Sequence, residues 1–173
     1  GYQIRKVIYN LNGGTNAETN PNVFEPGEIL QIEAPTRTGY RFEGWYSDKA
    51  TSKLLIDPEG GTLDTGTISG DVTLYAKWTA NEYVLSYDLN LPEQAVVKET
   101  SEPGSVTVKY DQTIKLPANA GALYKYLFSG WNTAADGSGD SYKGGASVKN
   151  LAAQGKVTLY AQWTAASYKI KYD

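Results

Sequence analysis

Apolar residues along this chain recur at alternate positions in short runs, the two-residue period of strands, and Gly, Pro, Asn and Asp punctuate the runs. In Lys6-Val7-Ile8-Tyr9-Asn10-Leu11, Val7, Tyr9 and Leu11 share one side while Lys6 and Asn10 point to the other. Asn12-Gly13-Gly14 ends that strand with residues that tolerate positive φ. Glu28-Ile29-Leu30-Gln31-Ile32 predicts a second strand, closed by Pro35. Tyr40-Arg41-Phe42-Glu43-Gly44-Trp45 alternates with Tyr40, Phe42 and Gly44 on one side and Arg41, Glu43 and Trp45 on the other, which predicts aromatic residues on both faces. Leu54-Leu55-Ile56 is a brief apolar run stopped by Asp57-Pro58. The best-defined strand holds Val72, Leu74, Ala76 and Trp78 on one face and Thr73, Tyr75 and Lys77 on the other. The best helical stripe is at 147–155, where Val148, Leu151 and Ala152 align, Ser147 can cap and Gly155 can terminate. One or two turns are predicted there, whereas the counterpart at 62–70 contains Gly66 and reads poorly as helix.

The pattern occurs twice. Phe42-Glu43-Gly44-Trp45 and Val72-Thr73-Leu74-Tyr75-Ala76-Lys77-Trp78 return as Phe128-Ser129-Gly130-Trp131 and Val157-Thr158-Leu159-Tyr160-Ala161-Gln162-Trp163, at offsets of 86 (128 − 42) and 85 (157 − 72). Such spacing marks a tandem array, with modules at 1–80 and 81–165. Tyr168-Lys169-Ile170-Lys171-Tyr172-Asp173 matches Tyr83-Val84-Leu85-Ser86-Tyr87-Asp88, so 166–173 reads as the start of a third repeat in a longer string. Its strand is expected either to pack on the second module or to add to an exposed sheet edge. Tyr87-Asp88-Leu89-Asn90 follows Tyr9-Asn10-Leu11-Asn12 by only 78 residues, which places an insertion of seven or eight residues within 91–108, in a surface loop or lengthened hairpin. Thr79-Ala80-Asn81 separates the modules, too short a connection for a free tether, and predicts a restricted relative orientation.

Composition narrows the chemistry. A unit of about 80 residues buries only roughly 60% of its unfolded surface, and with no Cys in the chain it must be stable by packing or by membership of an array. His is absent too, which excludes Ser-His-Asp and Cys-His arrangements as well as zinc and iron-sulfur sites built on those ligands. Carboxylates alone can hydrolyse glycosides, but no acid pair repeats: Asp57 aligns with Tyr142 and Glu43 with Ser129. Asp136-Gly137-Ser138-Gly139-Asp140 has the alternating oxygens of a calcium loop, yet position six is Ser141 and position twelve Ser147, and Asp48-Lys49-Ala50-Thr51-Ser52 offers no second acid in the first copy. It reads as a Gly-rich turn. No Lys-Asn-acid trio is marked for an isopeptide cross-link. The chain is therefore expected not to be an enzyme, and no catalytic, cofactor-binding or metal-binding residue is assigned. A net charge of −3 without a basic run argues against nucleic acid, and no apolar run reaches the ~20 residues that cross a bilayer. Trp45, Trp78, Trp131 and Trp163, with Tyr40, Tyr75, Tyr126 and Tyr160, could stack on sugars. Their retention in both copies predicts a core instead, with one of Tyr75 or Tyr160 free to face outward.

Gly39-Tyr40-Arg41-Phe42-Glu43-Gly44-Trp45-Tyr46 followed by Leu74-Tyr75-Ala76-Lys77-Trp78 resembles the Listeria-Bacteroides repeat, the family that includes the B-repeat of internalin surface proteins. The second copy carries Tyr126-Leu127-Phe128-Ser129-Gly130-Trp131-Asn132 and Leu159-Tyr160-Ala161-Gln162-Trp163, and departs in lacking the Gly ahead of Phe128. The resemblance implies a small β-grasp-like (ubiquitin-like) module, strung in tandem on secreted or wall-anchored bacterial surface proteins. Together with the strand pattern, it gives a mainly β expectation with little helix (α+β). The expected role is a non-enzymatic spacer or stalk that projects another domain, with neighbouring repeats as partners. The alternative is an adhesin module that binds a host surface protein or glycan through an exposed aromatic face or through the inserted segment.

Overall fold

The alternating runs become strands. A computed structural model describes residues 3–167 and is mainly β; among the described residues the helical content is one 3-10 turn, Thr65–Thr67. The chain divides into two units, Gly1–Asn81 and Glu82–Asp173. In the first, the strands are β1 (Arg5–Asn10), β2 (Val23–Phe24), β3 (Ile29–Ile32), β4 (Tyr40–Tyr46), β5 (Leu54–Ile56), β6 (Gly61–Asp64) and β7 (Val72–Ala80). The sheet runs β2-β1-β7-β4-β5, with β1 and β7 parallel at its centre and antiparallel neighbours on both sides. β3 and β6 form a separate antiparallel ribbon. The inward residues Val7, Trp45, Ile56, Leu74 and Ala76 of the sheet close with Leu30, Ile32 and Leu63 of the ribbon into one core.

The second unit repeats this plan with β8 (Glu82–Asp88), β9 (Val97–Thr100), β10 (Val106–Lys109), β11 (Ile114–Lys115), β12 (Gly121–Leu123), β13 (Tyr126–Asn132), β14 (Ser141–Tyr142), β15 (Ser147–Val148) and β16 (Gly155–Ala165). β8 and β16 are the parallel central pair, β10 flanks β8, β13 flanks β16, and β11–β15 is the ribbon. Leu85, Val108, Leu116, Trp131, Val148 and Leu159 build its core.

The period-two reading of the aromatic strand is corrected. Phe42 lies opposite Trp78 and Trp45 opposite Ala76, so three steps on β4 answer two on β7. That extra residue is a β-bulge, and Gly44 occupies it at φ +115°. In the second copy the register shifts between Phe128 and Gly130, with Gly130 at φ +137°. Phe42 and Trp45 therefore both face the core, rather than opposite sides.

The helix expected at 147–155 is absent. Ser147 and Val148 pair with Lys115 and Ile114 because Val148 is needed in the core, and Asn150 then turns the chain at φ +57° while exchanging two hydrogen bonds with Asp111. The helical turn falls in the other copy, where the Asp64 side chain accepts from Gly66 N and the buried Thr65 hydroxyl donates to Glu28 O at 2.6 Å. The expected three-residue connection is also shorter. Tyr40 and Arg41 pair with Ala80 and Thr79 inside the sheet, which leaves Asn81 alone between β7 and β8.

Strand registers divide the insertion. Arg5 pairs with Phe24 and Tyr83 with Val108, so the offset grows from 78 (83 − 5) to 84 (108 − 24), six residues, across this stretch. It reaches 86 at Phe128, which places two more residues ahead of β13. The two additions meet, since β9 from the first stretch pairs with β12 before β13 and forms an extra edge. The expected third-repeat strand at 168–172 lies outside the described residues.

Candidate functional site

In each module the aromatic side chains form a four-ring series. Tyr9 meets Trp45 at 5.3 Å, Trp45 meets Phe42 at 5.3 Å, and Phe42 meets Trp78 at 5.3 Å. Tyr87, Trp131, Phe128 and Trp163 repeat it at 5.0, 5.3 and 5.7 Å. These are the tilted and edge-on geometries that aromatic quadrupoles favour. Trp45 and Trp131 are 0% and 1% exposed, and Trp78 and Trp163 are half-buried against the same cores.

Every indole N–H is spent on a main-chain carbonyl just beyond a strand end. Trp78 donates to Leu11 O at 2.8 Å and Trp163 to Leu89 O at 2.9 Å; Trp45 donates to Glu33 O at 3.2 Å and Trp131 to Pro117 O at 3.0 Å. The four tryptophans weighed as sugar platforms are thus tied into the fold. Tyr40 sits under the Arg37 guanidinium at 3.6 Å, and Tyr75 and Tyr160 both lie half-buried on the outward side of their strands, where one had been expected.

A second repeated device escaped the sequence reading. Asn12 and Asn90 adopt φ +46° and +47°, and their amides donate across the sheet to Ala76 O at 2.6 Å and Ala161 O at 2.9 Å. Asn10 and Asp88 accept from the main-chain N–H of Asn12 and Asn90. The signal was present as an Asn at matching positions of the two turns.

The acidic residues do not converge. Glu43 makes an exposed ion pair with Arg41 at 2.8 Å, and that hydrogen bond, followed by one from Thr79, holds its carboxyl below the usual range. Asp48 accepts from the Ser52 hydroxyl and from Ser52 and Lys53 N–H, and Asp136 accepts from the Ser138 hydroxyl and N–H; both carboxyls are lowered by these bonds. The loop with calcium-like spacing is organised by buried Asn132. Its amide donates to Gly137 O, Gly139 O and Ser141 Oγ, and its carbonyl accepts from Ala134 and Gly139 N–H. Among the described residues no group of three or more acidic side chains stands where it could hold a metal ion.

Outward positions are shared in part, as at Tyr75 and Tyr160, and differ elsewhere. The Arg41–Glu43 pair is replaced by Leu127 and Ser129, and Lys77, whose ammonium lies 5.3 Å from the Tyr46 ring, by Gln162. Beside Gly130 in the second module a cleft of about 420 Å³ opens between Ser129, Ser141, Tyr142, Lys143 and Gln162. Tyr83 stands at the register position of Arg5. The Arg5 guanidinium donates to Ile68 O at 2.6 Å, while the buried Tyr83 hydroxyl has no hydrogen-bond partner.

The chain matches the Listeria-Bacteroides repeat domain over residues 6–77 and 83–162. It is 33% identical over 172 residues to a protein of Evansella cellulosilytica named "Putative membrane protein", covering 95% of this chain and 23% of that one. It is also 33% identical over 140 residues to internalin H of Listeria monocytogenes, covering 79% of this chain and 21% of that one. The chain thus spans less than a quarter of these relatives' length. No solved structure matches it. With the same bulge, aromatic series and asparagine turn built twice, and both copies matched, this chain belongs to the Listeria-Bacteroides repeat family.

Proposed function

We propose that the two modules are a non-enzymatic spacer at a bacterial cell surface, projecting another domain of a longer protein, with neighbouring repeats as their partners. One observation carries this reading: the aromatic series and its two indole N–H bonds recur in both modules, while outward Arg41, Glu43 and Lys77 give way to Leu127, Ser129 and Gln162. A repeated core under a free surface is what an element that sets length requires, because each unit adds reach whatever its surface carries. The similarity to internalin H and to a protein named as a membrane protein supports the surface location. The non-enzymatic reading is supported by carboxylates that are engaged by neighbouring N–H and hydroxyl groups or by an exposed Arg.

We read each module as β-grasp-like. Support comes from a sheet whose first and last strands run parallel at its centre, with the β3–β6 ribbon in the place a packing helix would take.

The test is reach. Displayed proteins carrying one, two or four copies of this chain below a terminal epitope should show epitope height rising stepwise with copy number. Height independent of copy number would remove the spacer reading.

Adhesion is favoured by a different observation. Among the described residues, the exposed large apolar side chains of the second module are Leu91, Val96, Val97, Val106, Tyr124 and Leu127, all on or beside the added residues. A host-protein panel bound by this chain and lost with Tyr124→Ala would move adhesion ahead.

A further inference from the structure

We infer that the cleft beside Gly130 in the second module binds a single sugar residue of a glycan. The inference goes beyond the spacer reading and does not rest on it, since reach depends on repeated cores and residues that line this cleft, Ser129 and Gln162 among them, differ between the copies.

The first module shows how the cleft arises. There Tyr46 pairs with Leu54, and a Cβ on Gly44 would meet Leu54 Cδ1 at 2.5 Å, so the leucine fills the hollow beside the bulge. In the second module Asn132 pairs with Ser141 at the corresponding place. Asn132 turns inward, 1% exposed, and the short Ser141 does not reach the place that Leu54 takes, so a cleft opens beside Gly130, whose own Cα is covered by Tyr142 O. The resulting volume of about 420 Å³ falls within the range of small-molecule sites.

The groups around it suit hydroxyl ligands. Ser141 Oγ accepts from Asn132 Nδ2 at 2.9 Å, which leaves its own hydrogen to donate into the cleft. The Gln162 amide makes long bonds of 3.2 to 3.4 Å to Tyr160, Ala134 and Ala135 carbonyls, weak enough to exchange for a ligand. Ser129 adds a second hydroxyl and Tyr142 a half-buried ring. Amide and hydroxyl groups both donate and accept, as sugar hydroxyls do. No carboxylate lines the cleft, which disfavours cations, and Lys143 is its one cationic lining residue, too little for a phosphate-rich ligand. A neutral sugar or one with a single carboxylate fits this set.

The probes are methyl α-glucoside, N-acetylglucosamine and glucuronate, titrated into the ¹⁵N-labelled 173-residue chain. Saturable shifts with Kd on the order of 1 mM are expected at Gly130, Ser141 and the Gln162 side-chain amide, and none at Gly44. Ser141→Leu, which supplies the side chain that the first module has there, should abolish them. Gln162→Ala, an outward position, should weaken binding about tenfold, the loss of roughly one good hydrogen bond. Thermal melts check that both variants fold. Tighter binding of glucuronate that is lost in Lys143→Ala would assign the carboxylated sugar, and equal affinities the neutral one; either supports the site. No saturable shift with any probe, shifts equally strong at Gly44, or shifts that survive both Ser141→Leu and Gln162→Ala would overturn it.

Discussion

Phe42 and Trp45, three positions apart, meet edge-on at 5.3 Å on the same side of one strand. In an undistorted strand an odd spacing sends side chains to opposite faces. The bulge at Gly44 absorbs the extra residue and brings both rings inside, and Gly130 does the same for Phe128 and Trp131 at 5.3 Å. The Phe-x-Gly-Trp block is thus a device for concentrating aromatic area on one face of a small sheet.

Gly44→Ala and Gly130→Ala should each destabilise their own module by about 1 to 3 kcal/mol or more, since positive φ is strained for any residue with a Cβ. Gly130 should be the less tolerant. An added Cβ there meets the main-chain Tyr142 O at 2.6 Å, whereas at Gly44 the nearest atom belongs to the flexible Leu54, with Ile56 O at 2.8 Å. Urea unfolding followed by tryptophan fluorescence measures both. Unchanged midpoints would mean that the bulge does not need glycine.

Removing the buried indoles should cost about 3 to 5 kcal/mol, so Trp45→Ala and Trp131→Ala should unfold their modules at much lower urea. Trp78→Phe keeps a ring against Phe42 but loses the N–H bond to Leu11 O. It should cost about 1 kcal/mol from that bond plus the smaller ring's lost contacts. A cost near zero would show that the N–H tie is not a stabilising element.

Burial pushes the Tyr9 phenol up to about 12, and its hydroxyl donates to Pro21 O at 2.5 Å. The unfolded chain, with an ordinary tyrosine value near 10, releases this proton first. Tyr9 therefore contributes its full stability below about pH 10, and that contribution falls as pH rises through about 12. Tyr9→Phe should be less stable at neutral pH but should lose less on going to strong alkali. Equal alkaline losses in the two proteins would contradict the shift.

Tyr83→Phe should be neutral or stabilising by up to about 1 to 3 kcal/mol, the penalty of a buried hydroxyl without a partner. The same change at Tyr9, whose hydroxyl is bonded, should have the opposite sign at neutral pH. Calorimetric melting of both variants gives the comparison, and a destabilised Tyr83→Phe would reveal a bond to that hydroxyl.

Much of this was legible in order. Val72, Leu74, Ala76 and Trp78 fall on one face as alternation requires, because β7 keeps one residue per pleat along its length. The helix misreading at 147–155 has a simple origin: Val148, Leu151 and Ala152 face the core in either conformation, and the ribbon partner Ile114, distant in sequence, chose the strand. The cleft gave no local signal at all. Ser141 and Leu54 become equivalent only through their pairing with Asn132 and Tyr46, a register that depends on the bulge.

By itself the sequence determined the repeat, the strand-rich character and the aromatic identity of the core, because residue identity and two-residue alternation are local properties. The tertiary structure alone decided which face Trp45 and Trp131 take, that the two inserted stretches pair as an edge, and that one module opens a hollow the other fills. Each of these follows from pairing between strands far apart in the chain, where one extra residue reverses every later side chain's direction.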